Sequence, residues 1–397
     1  MSAPELRASF SLASIFGLRL FGMFIILPVF ALHAERLPGW NLTLVGIALG
    51  AYGLTQAILQ IPFGWASDRL GRKPVMVAGL AVFALGSVIC ALAESPWAVI
   101  LGRTVQGAGA ISGVAIAMAA DLTRPSQRTK SMAIIGSTIG LAFALSFVIA
   151  PSLQRAIGVP GIFALTGVLA VIAIAIVAWV VPPQPSTAHA QTRVPFAAVL
   201  RDPELVRLNI GIFALHAVLM ALFVVVPLAL VRSGLPAGTH SGMYLGAVGT
   251  GFVLMLPFVA VRSIARHEKA VFLAAIAILG LGLCVLSVAA DRLWTIAAGL
   301  VIFFAAFNVL EAKLPALVSK AAPPSAKGAA SGLYSSVQFL GTFVGGAAGG
   351  ATAQYFGPVA VLASCLALTA IWLVAAWPMG EPAAREPEPH EPQASNP

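Results

Sequence analysis

Charge is scarce in this chain. Of 397 residues, only 9% are Asp, Glu, Lys or Arg, while 59% are hydrophobic and the mean hydropathy is +0.96. A soluble domain needs a charged surface to stay dispersed, so most of this surface must face lipid. Cysteine is scarcer still. Cys90, Cys284 and Cys365 are the only three, and each sits inside an apolar run, which excludes a disulfide framework or a cysteine metal site and leaves them as small core-filling residues. The chain has no His-Glu-x-x-His, no paired intramembrane acids and no Gly-x-Ser-Gly nucleophile, so nothing supports an enzyme. It has no Gly-x-x-x-x-Gly-Lys-Ser/Thr loop either, which excludes direct drive by ATP. A repeated selectivity segment or a ring of one charge, the marks of a channel, is likewise absent.

What charge there is lies between apolar runs. The net charge of +9 comes as short Lys/Arg clusters and not as a continuous basic face, which argues against nucleic acid. A spanning helix needs about 20 apolar residues. Spans are expected near 10–32, 42–66, 75–94, 97–120, 131–153, 160–182, 208–231, 241–261, 270–290, 293–318, 328–355 and 358–377. The first, Phe10 to Leu32, is too long for a secretory signal and holds Arg19. With the N-terminus placed inside, 16 Lys and Arg fall on the inner side and 4 on the outer, with Arg19, Arg103 and Lys313 inside spans. That bias predicts twelve crossings with both termini in the cytoplasm.

The expected organisation is an N-terminal six-helix bundle at 1–182, a cytoplasmic linker rich in Pro, Ser, Thr and Arg at 183–207, a C-terminal six-helix bundle at 208–377, and a Pro/Glu-rich tail at 378–397 with too few apolar residues to fold. The halves echo each other. Leu59-Gln60-Ile61-Pro62-Phe63 and Leu254-Met255-Leu256-Pro257-Phe258 each precede a basic loop at an offset of 195, and Lys130 and Lys327 open spans 197 apart. The fold class expected is an all-α membrane protein of two pseudo-symmetric six-helix bundles.

The loop after the second span runs Gly64-Trp65-Ala66-Ser67-Asp68-Arg69-Leu70-Gly71-Arg72-Lys73. A positive-inside loop accounts for its three bases but not for Asp68 or for the glycines that bracket a tight turn. The string resembles the loop signature of the major facilitator superfamily, Gly-x-x-x-Asp-Arg-x-Gly-Arg-Lys, at every defining position and at the place the signature occupies. The resemblance implies that Asp68 faces the N-terminus of the eleventh helix, around Lys327 to Ser331, where the helix dipole favours negative charge. It also implies that Arg72 pairs with Asp121, so that these residues, with Arg69 and Lys73, lock the bundles together on the cytoplasmic side. The matching loop of the second half, Val261 to Lys269, has Ser263 where Asp68 would align, so the gate is expected to be one-sided.

Two further stretches resemble the same family. Arg103-Thr104-Val105-Gln106-Gly107 in the fourth span is similar to its Arg-x-x-Gln-Gly pattern, which implies a part for Arg103 in proton coupling; the alternative is snorkelling to the outer interface near Trp97. Gly136, Gly140, Ser146, Ala150 and Pro151 resemble its antiporter motif, with Ala150 in place of the Gly before Pro. Small residues such as Gly107, Gly136 and Gly140 let helices approach closely. Leu18 to Phe24, Gly53 to Ala57 and Gln338 to Gly341 are similar to the YajR-type branch of the drug:proton antiporters. That type carries an additional soluble C-terminal domain, whereas this sequence leads into the Pro/Glu-rich tail, so regulation by such a domain is not expected.

Among the 14 acids only Glu311 is expected well inside a span, with Asn308 about one turn before it. A Glu in hydrocarbon is paired, protonated or beside water. His216, the one histidine within a span by this division, suits a proton relay, though it could equally be a hydrogen-bonded core residue. Arg19 either makes a structural pair or binds an anionic group in a central cavity. The coupling expected is a proton exchanged at Glu311, with His216 and Arg19 tuning it. The function this implies is a secondary transporter working by alternating access, with proton-coupled efflux of lipophilic or amphipathic small molecules. The spans hold few polar groups, which disfavours a sugar. A proton-linked transporter of a polar metabolite and a non-transporting sensor of the same fold are the alternatives. No cofactor is expected beyond the proton gradient, and the protein is expected as a monomer in the inner membrane.

Overall fold

The computed structural model describes residues 1–183, 196–260, 267–288, 292–323 and 326–380. Residues 184–195 of the linker, Ser263 with most of its loop, and the tail from 381 lie outside the described residues. Among the described residues the chain is helical throughout and has no strand. Backbone polar groups find no partner in lipid, so helices that satisfy their own hydrogen bonds are the form such apolar runs must take.

The first span is Ala3–Phe24 continued by Leu27–Ala34; the second is Leu42–Leu70 and the third Arg72–Ala91. The fourth is broken into Pro96–Ala108 and Ser112–Asp121. One continuous assignment, Arg128–Ala175, holds the fifth and sixth spans, which part at Gly158 (φ 68°, ψ 175°). After the short helix Phe196–Arg201 come the seventh to twelfth: Pro203–Arg232, His240–Ala260, Glu268–Val288, Leu293–Ala321, Lys327–Phe356 and Pro358–Ala376. Helix starts follow local chemistry. Asn41, Ser95 and Asp202 accept hydrogen bonds from first-turn N–H groups, and Pro96, Pro203 and Pro358 occupy first positions where no donor is lost.

Ten helical segments are long and apolar enough to cross a membrane, and one of them, Lys130–Val180, is the folded-back pair. Lys327–Phe356 is not among the ten. Its Gly, Ser, Thr and Gln content lowers its hydropathy, but it lies packed between other spans, where lipid exposure is small.

One buried apolar cluster lies in the first half, joined by Phe339, and a larger one runs across both halves from Ile25 and Phe147 to Phe223 and Phe304; the halves meet unevenly. On the face opposite the termini, the second span lies backbone to backbone against the eleventh. A Cβ added at Gly46, Gly50 or Gly350 would run into main-chain atoms of Gly346, Phe343 and Leu42, and the Leu42 N–H donates to Gln354 Oε1 at 2.9 Å. Beside this contact, Phe143 and Phe147 of the fifth span pack among Phe223, Tyr244, Phe304 and Phe307 of the second half. On the face that carries the termini the halves part. Gly64 on the second span and Gly328 and Gly332 on the eleventh have open space where a Cβ would stand. The aperture between the halves therefore opens toward the terminus face.

Candidate functional site

Three groups of polar side chains stand out against the apolar background, one at the terminus face and one deeper in each half. The first is the loop at the terminus face. Gly71, at φ 92°, makes the turn between second and third spans in a conformation that a side chain would strain. The turn puts Arg72 at the first position of the third helix. From there its Nη1 reaches Asp68 Oδ1 at 2.6 Å and Ser67 Oγ at 2.6 Å, and its Nε–H donates to Asp121 Oδ2 at 3.1 Å. One guanidinium thus ties the second, third and fourth spans. Arg69 lies over the Trp65 ring at 3.8 Å, and Lys73 Nζ donates to the Val181 carbonyl at 2.6 Å. The pairing of Arg72 with Asp121 matches expectation. Asp68 differs: it is about half exposed and bonds Arg72, one turn on in its own bundle, with no ion pair or hydrogen bond to Lys327 or Ser331. The physical reason is the parting of the halves at this face.

The second group lies at the middle of the first half. Arg103 is 2% exposed, which corrects the expectation that it could snorkel outward. It is turned inward, donating to the carbonyls of Ala48 (3.4 Å) and Leu49 (3.5 Å) and to Gln106 Oε1 (3.0 Å). Gln106 passes the network on through its Nε2–H to Ser87 Oγ at 2.8 Å, and Thr166 joins Ser87 at 3.2 Å. Gly107 lets the fourth span close on the second, since a Cβ there would strike the Tyr52 carbonyl and Thr55. Arg19 is 3% exposed. Its Nη1–H donates to Ser112 Oγ at 2.7 Å and its Nη2–H to Gln56 Oε1, whose own Nε2–H donates to Gln60 Oε1 at 3.0 Å. Arg19 and Arg103 both lie near the Tyr52 ring, 5.7 and 5.0 Å from its centroid.

The third group lies at a similar depth of the second half. His216 donates from Nδ1 to the Ile212 carbonyl at 3.3 Å, which leaves Nε2 to accept from Gln338 Nε2–H at 2.8 Å. Glu311 Oε2 stands 3.8 Å from the same Nε2. Glu311 is partly exposed, and its Oε2, Asn308 Nδ2 and Tyr334 Oη are buried atoms with no hydrogen-bond partner. Tyr334 is within electrostatic reach of Glu311. Buried polar atoms of a native fold are rarely left single, so this cluster has capacity for water or a proton. Lys313 takes no part; it lies near the Glu268–Lys320 ion pair instead.

The structure brings Glu311, His216 and Asn308 into one half and Arg19, Arg103 and Gln106 into the other. The expectation that Arg19 tunes Glu311 is therefore corrected: the hydrogen bonds of Arg19 all stay in its own half. The two groups adjoin through the eleventh span, where Gln338 serves His216 and the next residue, Phe339, meets Tyr52 at 6.2 Å. Of the small residues expected in packing, a Cβ added at Gly140 would come only to ordinary contact with Phe252 of the other half and Pro151 is buried, but Gly136 has open space where a Cβ would stand, so close packing does not constrain it here. Tyr52, Ser112 and Tyr334 carry no signal in the sequence, and Gln56, Gln60 and Gln338 stand there only within a repeat or a likeness. Gln56 and Gln60, one turn apart in an apolar helix, were the available signal.

The sequence profile of the Major Facilitator Superfamily matches residues 12–346 and 264–397. The Escherichia coli inner membrane transport protein YajR is 42% identical over 388 residues, covering 96% of this chain and 85% of that protein. Over a shorter stretch of 131 residues, 30% of this chain and 33% of the relative, the multidrug resistance protein MdtH of Yersinia enterocolitica is 34% identical. Among solved structures, a bacterial homologue of the human lysosomal transporter Spinster superposes with a TM-score of 0.74 over 95% of this chain and 96% of that one, at 14% identity. These relatives are transporters and not enzymes, and a multi-pass membrane chain that aligns along nearly its whole length with one of them shares its fold and class of activity. The chain belongs to the major facilitator superfamily of secondary transporters, and within it to the YajR type.

Proposed function

We propose that this transporter is a proton-coupled antiporter that exports lipophilic or amphipathic small molecules across the cytoplasmic membrane, with both termini on the cytoplasmic side. The observation that carries the proposal is Glu311: a carboxylate in the middle of the tenth span, 3.8 Å from His216, with unpaired polar atoms on Glu311, Asn308 and Tyr334 around it. A group so placed can hold a proton from one face and release it to the other when the aperture changes sides. His216, fixed by Ile212 and Gln338, positions the carboxylate.

On this reading the described state is open to the cytoplasm. Asp68, released from the eleventh helix, would return to its N-terminal turn when the cytoplasmic side closes, while Arg72 and Asp121 keep the loop in shape throughout. Gly64 and Gly71 give the loop the room to do so. The apolar walls and the partial likeness to a multidrug resistance protein favour a lipophilic or amphipathic cargo. The protein works as a monomer with no cofactor but the proton gradient.

The test is Glu311→Gln in proteoliposomes. Exchange of a substrate without a pH gradient should persist, while accumulation driven by a pH gradient should vanish. Wild-type accumulation in the variant would end the proposal.

A further inference from the structure

The first half holds two buried positive charges that no acid among the described residues pairs with. Among the described residues its carboxylates are Glu5, Glu35, Asp68, Glu94 and Asp121, and none forms an ion pair with Arg19 or Arg103. Glu5 is taken by Arg124, and Asp68 and Asp121 by Arg72, all at the terminus face. Arginine does not escape burial by losing its proton, so both groups remain cations. Their surroundings differ. Arg103 spends all three nitrogens on two helix carbonyls and Gln106. Arg19 has only a serine hydroxyl and a glutamine oxygen, and its Nε finds no partner at all. The Tyr52 hydroxyl beside it is also buried and unpartnered.

We propose that Arg19 is the headgroup site of an amphipathic organic anion, a carboxylate, sulfonate or phosphate ester on an apolar body, and that such anions are the substrate class of this transporter. Arg19 Nε–H and the Tyr52 hydroxyl supply donors that the fold itself leaves unused, and a fork of this kind matches a planar or tetrahedral oxyanion. The site lies at the seam between the halves, because the Tyr52 ring that Arg19 lies against meets Phe339 of the opposite half, and a change in how the halves meet would open it. Tyr52, Phe83 and Phe339 give the apolar wall that the body of the molecule would contact. The inference names the cargo of the proposed transport, but binding at Arg19 does not depend on the proton step.

The experiment is equilibrium binding to purified wild-type protein in nanodiscs, without any gradient, of matched probes sharing one ring: naphthalene-2-sulfonate and naphthalene-2-carboxylate, their neutral amides, and a trimethylammonium analogue. Alkyl sulfonates and alkyl phosphates of increasing length extend the series. At least one anion should bind about tenfold or more tightly than its neutral and cationic counterparts. Arg19→Gln should remove that preference and Arg19→Lys should restore part of it. Loss of proton-driven accumulation with anion preference intact would bear on the coupling reading alone. No anion preference anywhere in the wild-type series overturns the Arg19 proposal whether or not the variants fold, as does an equal preference in a folded Arg19→Gln.

Discussion

Arg103 and Arg19 are both buried at mid-membrane, yet their neighbours ask different things of them. Arg103 organises backbone. The carbonyls of Ala48 and Leu49, already in helix hydrogen bonds, accept a second time from it, and the Gln106 oxygen depends on it, so removing it leaves a buried amide oxygen without that donor. Leaving buried polar groups unpaired costs about 1–3 kcal/mol each. Arg103→Leu should therefore lower the melting temperature of the purified protein clearly, and Arg103→Lys should recover part of the loss, since one ammonium cannot serve three directions. An unchanged melt for Arg103→Leu would refute this role. Arg72 is the counterpart at the surface. Its bond to Asp121 is partly exposed, so Asp121→Asn should cost only about 0–1 kcal/mol while loosening the loop; the check is whether transport falls much further than the melting temperature does. At this scale sequence reasoning saw the costly residues, Arg19, Arg103 and Glu311, because a charge in an apolar run is conspicuous. It did not see their partners. Gln56, Ser112 and Gln338 look like any other small polar residue in a membrane helix, and only the packing of several spans picks them out.

At the scale of the helix, the eleventh span is the instructive element. Its composition hides it from a search for apolar length, yet the alternation of basic loops requires a crossing there. The glycines that dilute its hydropathy are the ones that let Gly346 and Gly350 come against Gly46 and Leu42 of the second span. Gly46→Leu should force these backbones apart, because the added side chain meets the Gly346 carbonyl. A cysteine at Tyr244, buried beside that contact, should then react with a maleimide applied from the face opposite the termini, at a rate well above that in the otherwise wild-type chain. An unaltered rate would show that the glycines do not hold the contact. The breaks in the first and fourth spans, after Phe24 and Ala108, were not legible beforehand. Both interrupt sequences that remain apolar; Pro28 stands just after the first and the glycines at 107 and 109 around the second, but such residues occur inside unbroken spans as well.

Across the whole molecule, twelve crossings and the two-half organisation were legible from hydropathy, charge bias and one loop signature. The state of the aperture was not, because every conformation of a two-sided transporter uses the same helices and the same apolar faces. Topology and state are testable together. Cysteines at Gly328 and Gly332 should label from the terminus face with an impermeant reagent, and one at Phe223, which packs behind the aromatic cluster, should be protected. The opposite pattern would mean that the far face is the open one.

The two faces of the molecule are held by different forces, and they should answer differently to the medium. On the face away from the termini, contact is glycine against glycine with phenylalanines alongside, so dissolved ions have nothing to screen. On the terminus face the proposed closing contact is Asp68 against the first turn of the eleventh helix, an electrostatic contact that salt weakens. Raising ionic strength should bias the population toward the state described here without altering how tightly its sealed side is shut, so a salt-rich medium would leave the carrier resting with its mouth on the terminus face.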